Sequence, residues 1–178
     1  MKKIFILALL ILVSTSCGSG KSFQSFFNDY KNDVGVTAFQ VPNFMRALLR
    51  NISPEMNGLF KNVSDFKFIK FDQISAEKKA ALVNDINLVT ANNYTDVLRS
   101  NTTEKTKVIS VREHGDVVTH AIIFNSTLGK TSAFYLKGKF DPNRIKELSE
   151  TNQFENLSNK LIQNYQTPNF TPSFNPNN

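Results

Sequence analysis

The sequence predicts an α+β domain built on a single, mostly antiparallel sheet of about five strands, with helices packed on one face. Three observations predict it. Apolar positions switch between helical and strand spacing along the chain, three strand-like runs follow one another with no helix between them, and a capped helix closes the folded region. The first element is a helix over 22–33, where Phe23, Phe26, Phe27 and Tyr30 recur at helical spacing. Gly35 then opens VTAFQV, whose alternation predicts a strand over 36–41. Pro42 stops that strand and starts a helix over 43–51, with Phe44, Leu48 and Leu49 on one stripe. A loop over 52–64 leads into DFKFIKFD, a strand over 65–71 in which apolar residues are interleaved with lysines. Ser75 is a good N-cap for a long helix from Ala76, with Leu82, Ile86 and Val89 on its core face. The spacing of Tyr94, Val97 and Leu98 predicts a shorter helical turn closing on the core.

TKVISVRE and VVTHAIIF flank His114-Gly115-Asp116, a strong hairpin signal. TSAFYLKGKF follows a turn around Leu128-Gly129-Lys130. Asp141 as N-cap and Pro142 at the first helical position open one final helix that carries Ile145, Leu148, Phe154, Leu157 and Leu161.

The chain before this domain reads as an address. Lys2 and Lys3, an apolar run over 4–13 and a small-residue segment ending at Cys17 are the three parts of a secretory signal. A cysteine at that point resembles a bacterial lipobox, with Thr15 and Ser16 fitting the pattern and Ser14 standing where leucine is usual. The expected organisation is a lipoprotein signal peptide over 1–16, a tether over 17–21 lipidated at Cys17, one domain over 22–165, and a proline- and asparagine-rich disordered tail over 166–178. The membrane is then the first partner, through acyl chains on Cys17.

The same stretch holds Gly20-Lys21-Ser22, the end of a phosphate-binding loop, but Thr15 stands where that loop needs its first glycine, and no strand precedes it. No nucleotide is expected. Nor is nucleic acid: removing Lys2 and Lys3 takes two off a formal charge of +6, and the remaining lysines are spread along the chain with no arginine–aromatic block. The mild basicity is compatible with anionic lipid headgroups or acidic glycans, but a solvated surface explains it more simply. Forty per cent hydrophobic residues, with 16 phenylalanines and no tryptophan, describe an ordinary globular core of unusual aromatic make-up.

The motifs GVTAFQVPNFMRAL after a FFNDY helix, YTDVL before the VISVREHGDVVTHAIIF hairpin, and LKGKFD leading into a helix occur in this order between residues 22 and 165. Together with the lipobox they resemble the Bacteroidota envelope proteins grouped as domain of unknown function 4252. That resemblance implies a small secreted or lipid-anchored α+β protein with no established activity and no known cofactor, and it carries over no catalytic residue. Surface-exposed lipoproteins of that phylum usually have acidic residues after the cysteine. Their absence from residues 18–21 implies a periplasm-facing anchor in the outer or inner membrane.

Candidate chemistry is sparse. His114 and His120 flank the hairpin turn as weak metal-ligand candidates, short of the three or four converging ligands a metal site needs. His120 shares its strand face with Val118, Ile122 and Phe124, which suits a half-buried structural histidine. Asp65, Asp72, Glu113 and Asp141 fall at strand ends, where capping and turn roles explain them more simply than paired catalysis. With no catalytic signature, metal or cofactor called for, the sequence favours a non-enzymatic module that holds an unidentified envelope protein on an exposed sheet face or edge, the face marked as such if it proves uncovered and apolar. The alternative is a periplasmic ligand carrier or hydrolase, whose scattered residues would meet in an enclosed polar pocket.

Overall fold

The structure, a computed structural model, describes residues 20–41, 53 and 56–166. The expected signal peptide, Cys17, the helix over 43–51 and the tail beyond Gln166 lie outside the described residues. Among the described residues eleven elements follow in order. They are α1 (Phe23–Tyr30), β1 (Val36–Val41), α2 (Asn57–Phe60), β2 (Val63–Ile74), α3 (Ala76–Thr90), β3 (Thr95–Asn101), β4 (Thr106–His114), β5 (Val117–Thr127), β6 (Gly129–Phe140), α4 (Pro142–Glu150) and α5 (Gln153–Gln166). The strands form one antiparallel sheet in the order β1-β2-β6-β5-β4-β3, so the chain is α+β as its sequence predicts, with six strands.

The helix starts follow the sequence. The Ser22 hydroxyl accepts from the Ser25 amide at 3.0 Å, the Ser75 hydroxyl from the Lys78 amide at 3.2 Å, and the Asp141 carboxylate from the Asn143 amide at 2.9 Å, each meeting a donor the first turn leaves unpaired. The β4–β5 hairpin closes with a two-residue loop, His114 facing Val117 and Gly115 at φ +60°.

Four expectations are corrected. Helices cover both faces of the sheet. Along β5, Ala121 and Ile123 join a core beneath α2, α4 and α5, while Ile122 and Phe124 join a second core beneath α1 and α3. Both sides of the central strands are apolar, and one helical layer covers only one side. Residues 95–101 form a strand instead of a helical turn. A bulge between Asp96 and Leu98 lets the adjacent Val97 and Leu98 both pack against the first core, which imitates helical spacing in the sequence. The loop over 52–64 contains the short helix α2, with Met56, Leu59 and Phe60 buried. The single C-terminal helix is two, broken at Asn152, whose φ of +57° is left-handed and ends α4.

Arg99 ties the edge strand β3 to α3. Its guanidinium donates to Asp96 at 2.5 and 3.0 Å, to Asn87 at 2.6 Å and to Thr90 at 3.1 Å. That contact, with a hydrogen bond from Ser110, holds the Asp96 carboxyl below the usual carboxylate range.

Candidate functional site

On the face covered by α1 and α3, one end of the sheet opens into a cleft of about 370 Å³. Its floor is built by strand register. Arg112 on β4 faces His120 on β5, His120 faces Lys137 on β6, and Lys137 faces Asp65 on β2. Four neighbouring strands thus present Arg112, His120, Lys137 and Asp65 as one row across the sheet, with adjacent strands about 4.8 Å apart. In the next row Lys67 on β2 faces Tyr135 on β6. Lys67 shares its strand face with Ile69 and Phe71, so its side chain is only 4 % exposed. It forms an ion pair with Asp65 and lies over the Tyr135 ring at 5.0 Å.

The walls are aromatic and polar. Phe23, the first residue of α1, stacks on Tyr135 with ring centroids 5.2 Å apart. Arg112 lies over the Tyr94 ring at 4.7 Å and donates to the Asn93 carbonyl at 3.2 Å, so its plane is fixed while its charge stays uncompensated. Among the described residues neither Arg112 nor Lys137 is ion-paired. Burial, with Tyr94 and Asp65 adding to it, pushes the Tyr135 phenol up to about 12, and burial raises Tyr94 against the pull of Arg112. Both tyrosines are neutral donors at physiological pH.

His120 is half-buried on an inner strand. Burial first, then Arg112 and Lys137, hold it below the ordinary histidine value. The Thr119 hydroxyl donates to the Arg112 carbonyl at 3.0 Å and lies 3.0 Å from His120 Nδ1. With its one proton committed, that hydroxyl can only accept from the ring, which assigns the proton to Nδ1 and leaves Nε2 as an acceptor. A register shift between Val118 and His120 sends Val118 into the opposite core, so His120 shares its face with Ile122 and Phe124 alone.

The other residues singled out by sequence do not converge. His114 is exposed at the hairpin end, beside a shallow depression it shares with Arg112 and His120. Asp72 is ion-paired with Lys70 at 2.9 Å, Asp141 caps α4, and Glu113 is exposed. Among the described residues no three His, Cys, Asp or Glu side chains are grouped to hold a metal. The Gly-Lys-Ser triplet has structural partners. Lys21 bridges Asp85 at 2.6 Å and Asp29 at 3.1 Å, and Ser22 caps α1. Burial pulls Lys21 down, but those two carboxylates outweigh it and leave its ammonium above the ordinary lysine range.

Sequence reading points to His120 but misses Lys67, Arg112 and Lys137. The signal that finds them is a cation on the apolar face of a strand buried on both sides, as at Lys67 between Phe66 and Phe68.

No curated protein and no solved structure matches the chain. The family described as Domain of unknown function (DUF4252) matches residues 30–148, well over half of it, from the end of α1 into α4 and including the whole floor of the cleft. The row of Arg112, His120, Lys137 and Asp65 therefore lies within the family's own domain, and the chain belongs to the DUF4252 family.

Proposed function

We propose that this protein is a binding protein of the cell envelope, anchored to the membrane through Cys17, that holds a small anionic ligand in the cleft over Arg112, His120 and Lys137. The row itself carries the reading. Arg112 and Lys137, one strand away on either side of His120 and without an ion pair among the described residues, flank a histidine that burial first, and then their charge, hold below its ordinary value. An anion bound over His120 offsets the two positive charges and accepts charge-assisted hydrogen bonds from Arg112 and Lys137. Phe23, Tyr94 and Tyr135 add apolar flanks for an organic body, the usual make-up of a ligand site.

The uncovered sheet face expected to hold a protein partner is occupied by helices on both sides. Among the described residues the large apolar side chains that remain exposed are Val34 and Leu128 in turns, Leu88 on α3 and Val117 on β5. Among the described residues no helix is long and apolar enough to cross a membrane.

The test uses the full-length protein extracted from membranes in mild detergent, with glycerol 3-phosphate as probe and glycerol as its uncharged counterpart. Glycerol 3-phosphate should raise the thermal midpoint and glycerol should not. Arg112→Ala and Lys137→Ala should each weaken the effect about tenfold, the equivalent of roughly 1.4 kcal/mol. Lys130→Ala, at the far end of the sheet, should leave it intact. A wild-type protein indifferent to the phosphate sinks the binding assignment. The mass of the N-terminal peptide tests acylation of Cys17 separately.

A further inference from the structure

The proposed acyl anchor and the cleft meet at the same point of the chain. Gly20, Lys21 and Ser22 line the cleft. Gly20 packs on the Asn92 side chain so tightly that a Cβ would come within 2.3 Å of its amide nitrogen. Lys21 is held by Asp85 and Asp29, and Ser22 by its capping bond. The backbone is therefore fixed to the fold from Gly20 onward. Three peptide units separate Cys17 from Gly20, and at about 3.8 Å each they span about 11 Å at most. A cysteine acylated at the bilayer surface thus keeps Gly20, which lines the cleft, within about 11 Å of the lipid headgroups.

We infer that the cleft docks onto the membrane that anchors the protein and takes the phosphate of an anionic lipid headgroup, gripped by Arg112 and Lys137. The inference rests on the binding reading above and on acylation at Cys17. Charge complementarity supports it, because basic side chains beside a membrane anchor are drawn to anionic lipid. The walls support it too, since Tyr94 and Tyr135 pair an apolar ring with a polar tip, the chemistry enriched at membrane interfaces. The short tether adds a physical reason to favour a lipid over a soluble phosphate. It makes the encounter intramolecular with the bilayer, so the headgroup is present at an effective concentration no dilute solute matches.

The experiment reconstitutes the full-length protein into phosphatidylcholine vesicles containing one part in five of phosphatidylglycerol with a photoreactive headgroup. After irradiation, labelled peptides are identified by mass spectrometry. Label is expected on residues 20–24 and on the ends of β4 and β6 around Arg112 and Lys137. It should fall about a hundredfold in Arg112→Glu/Lys137→Glu, as loss of two charge-assisted contacts at about tenfold each implies, and persist in Lys130→Glu. If the double reversal fails to fold by circular dichroism, Arg112→Gln/Lys137→Gln replaces it. Label confined to α5 or the opposite face overturns the inference. So does a protein that soluble glycerol 3-phosphate stabilises but the lipid does not label, which is a site for a free phosphate. An N-terminal peptide without acyl chains removes the lipid inference, while stabilisation by glycerol 3-phosphate in detergent stands or falls on its own.

Discussion

His120 stands half-buried between two cations, and burial first, then their charge, disfavours its imidazolium. Its folded value lies below the ordinary 6.5, so the unfolded chain takes up the proton first as pH falls. Its contribution to stability is intact above about pH 6.5 and is lost as pH drops from there through the folded value. A bound anion acts in the opposite sense, because it favours the imidazolium, and binding should tighten across the same window. Proton NMR of the His120 ring checks this with sulfate, whose charge is constant over the range. The midpoint should rise with sulfate, and His120→Gln should flatten the pH dependence of sulfate affinity. An unmoved midpoint would place the anion elsewhere.

The neighbouring Lys67 and Asp65 make a different claim. With its side chain 4 % exposed, Lys67 relies on Asp65 as its counter-charge. Asp65→Ala should therefore cost about 3 kcal/mol, and Asp65→Ala/Lys67→Met should recover most of that, because a buried charge without its partner is worse than none. Urea denaturation of the two variants reads the difference.

Among the elements, β6 carries the tightest constraint. A Cβ at Gly138 would stand 2.1 Å from the Asn62 carbonyl oxygen and 2.7 Å from the Phe140 ring. The carbonyl belongs to the backbone that leads into β2 and accepts from the Lys139 amide at 3.2 Å, so it has little room to withdraw. Gly138→Ala should destabilise the fold by about 1–3 kcal/mol, whereas Gly58→Ala, at a helical position with nothing within 4 Å of the added Cβ, should be near neutral or mildly stabilising. Thermal melts of the pair test it. The element boundaries show what local patterning conveys. β1 matches its predicted span and the long helix α3 begins at the Ala76 the cap predicts, because caps and stripes are written in adjacent residues. β3 is misread because a bulge turns a period of two into something like 3.6. The break at Asn152 is missed because a single left-handed asparagine leaves the apolar stripe intact on either side.

At the scale of the molecule, two cores share one sheet. Phe26 anchors the layer beneath α1 and α3, and Phe134 the layer beneath α4 and α5; both are fully buried. Because Ile122 and Ile123, or Ala133 and Phe134, are adjacent residues serving opposite cores, neither layer is expected to melt without the other. Phe26→Ala and Phe134→Ala should each cost about 3–5 kcal/mol, and each variant should still unfold in a single transition seen alike by near- and far-ultraviolet circular dichroism. Two transitions in Phe26→Ala would mean that the α1–α3 layer is a separate unit.

What the sequence by itself determined is local. It specified the antiparallel α+β class, the caps at Ser22, Ser75 and Asp141, the hairpin at Gly115, and the family resemblance carried by those segments. Each of these depends on residues within one element or across one turn. Only the tertiary structure decided that both sheet faces are covered, since an apolar strand reads the same whichever helix lies over it. The cleft was decided there too. Arg112, His120, Lys137 and Asp65 become neighbours through the pairing of β4, β5, β6 and β2, and a shift of one residue in any of those registers would send a member of the row to the other face. Long-range strand pairing, which no local period encodes, makes the row.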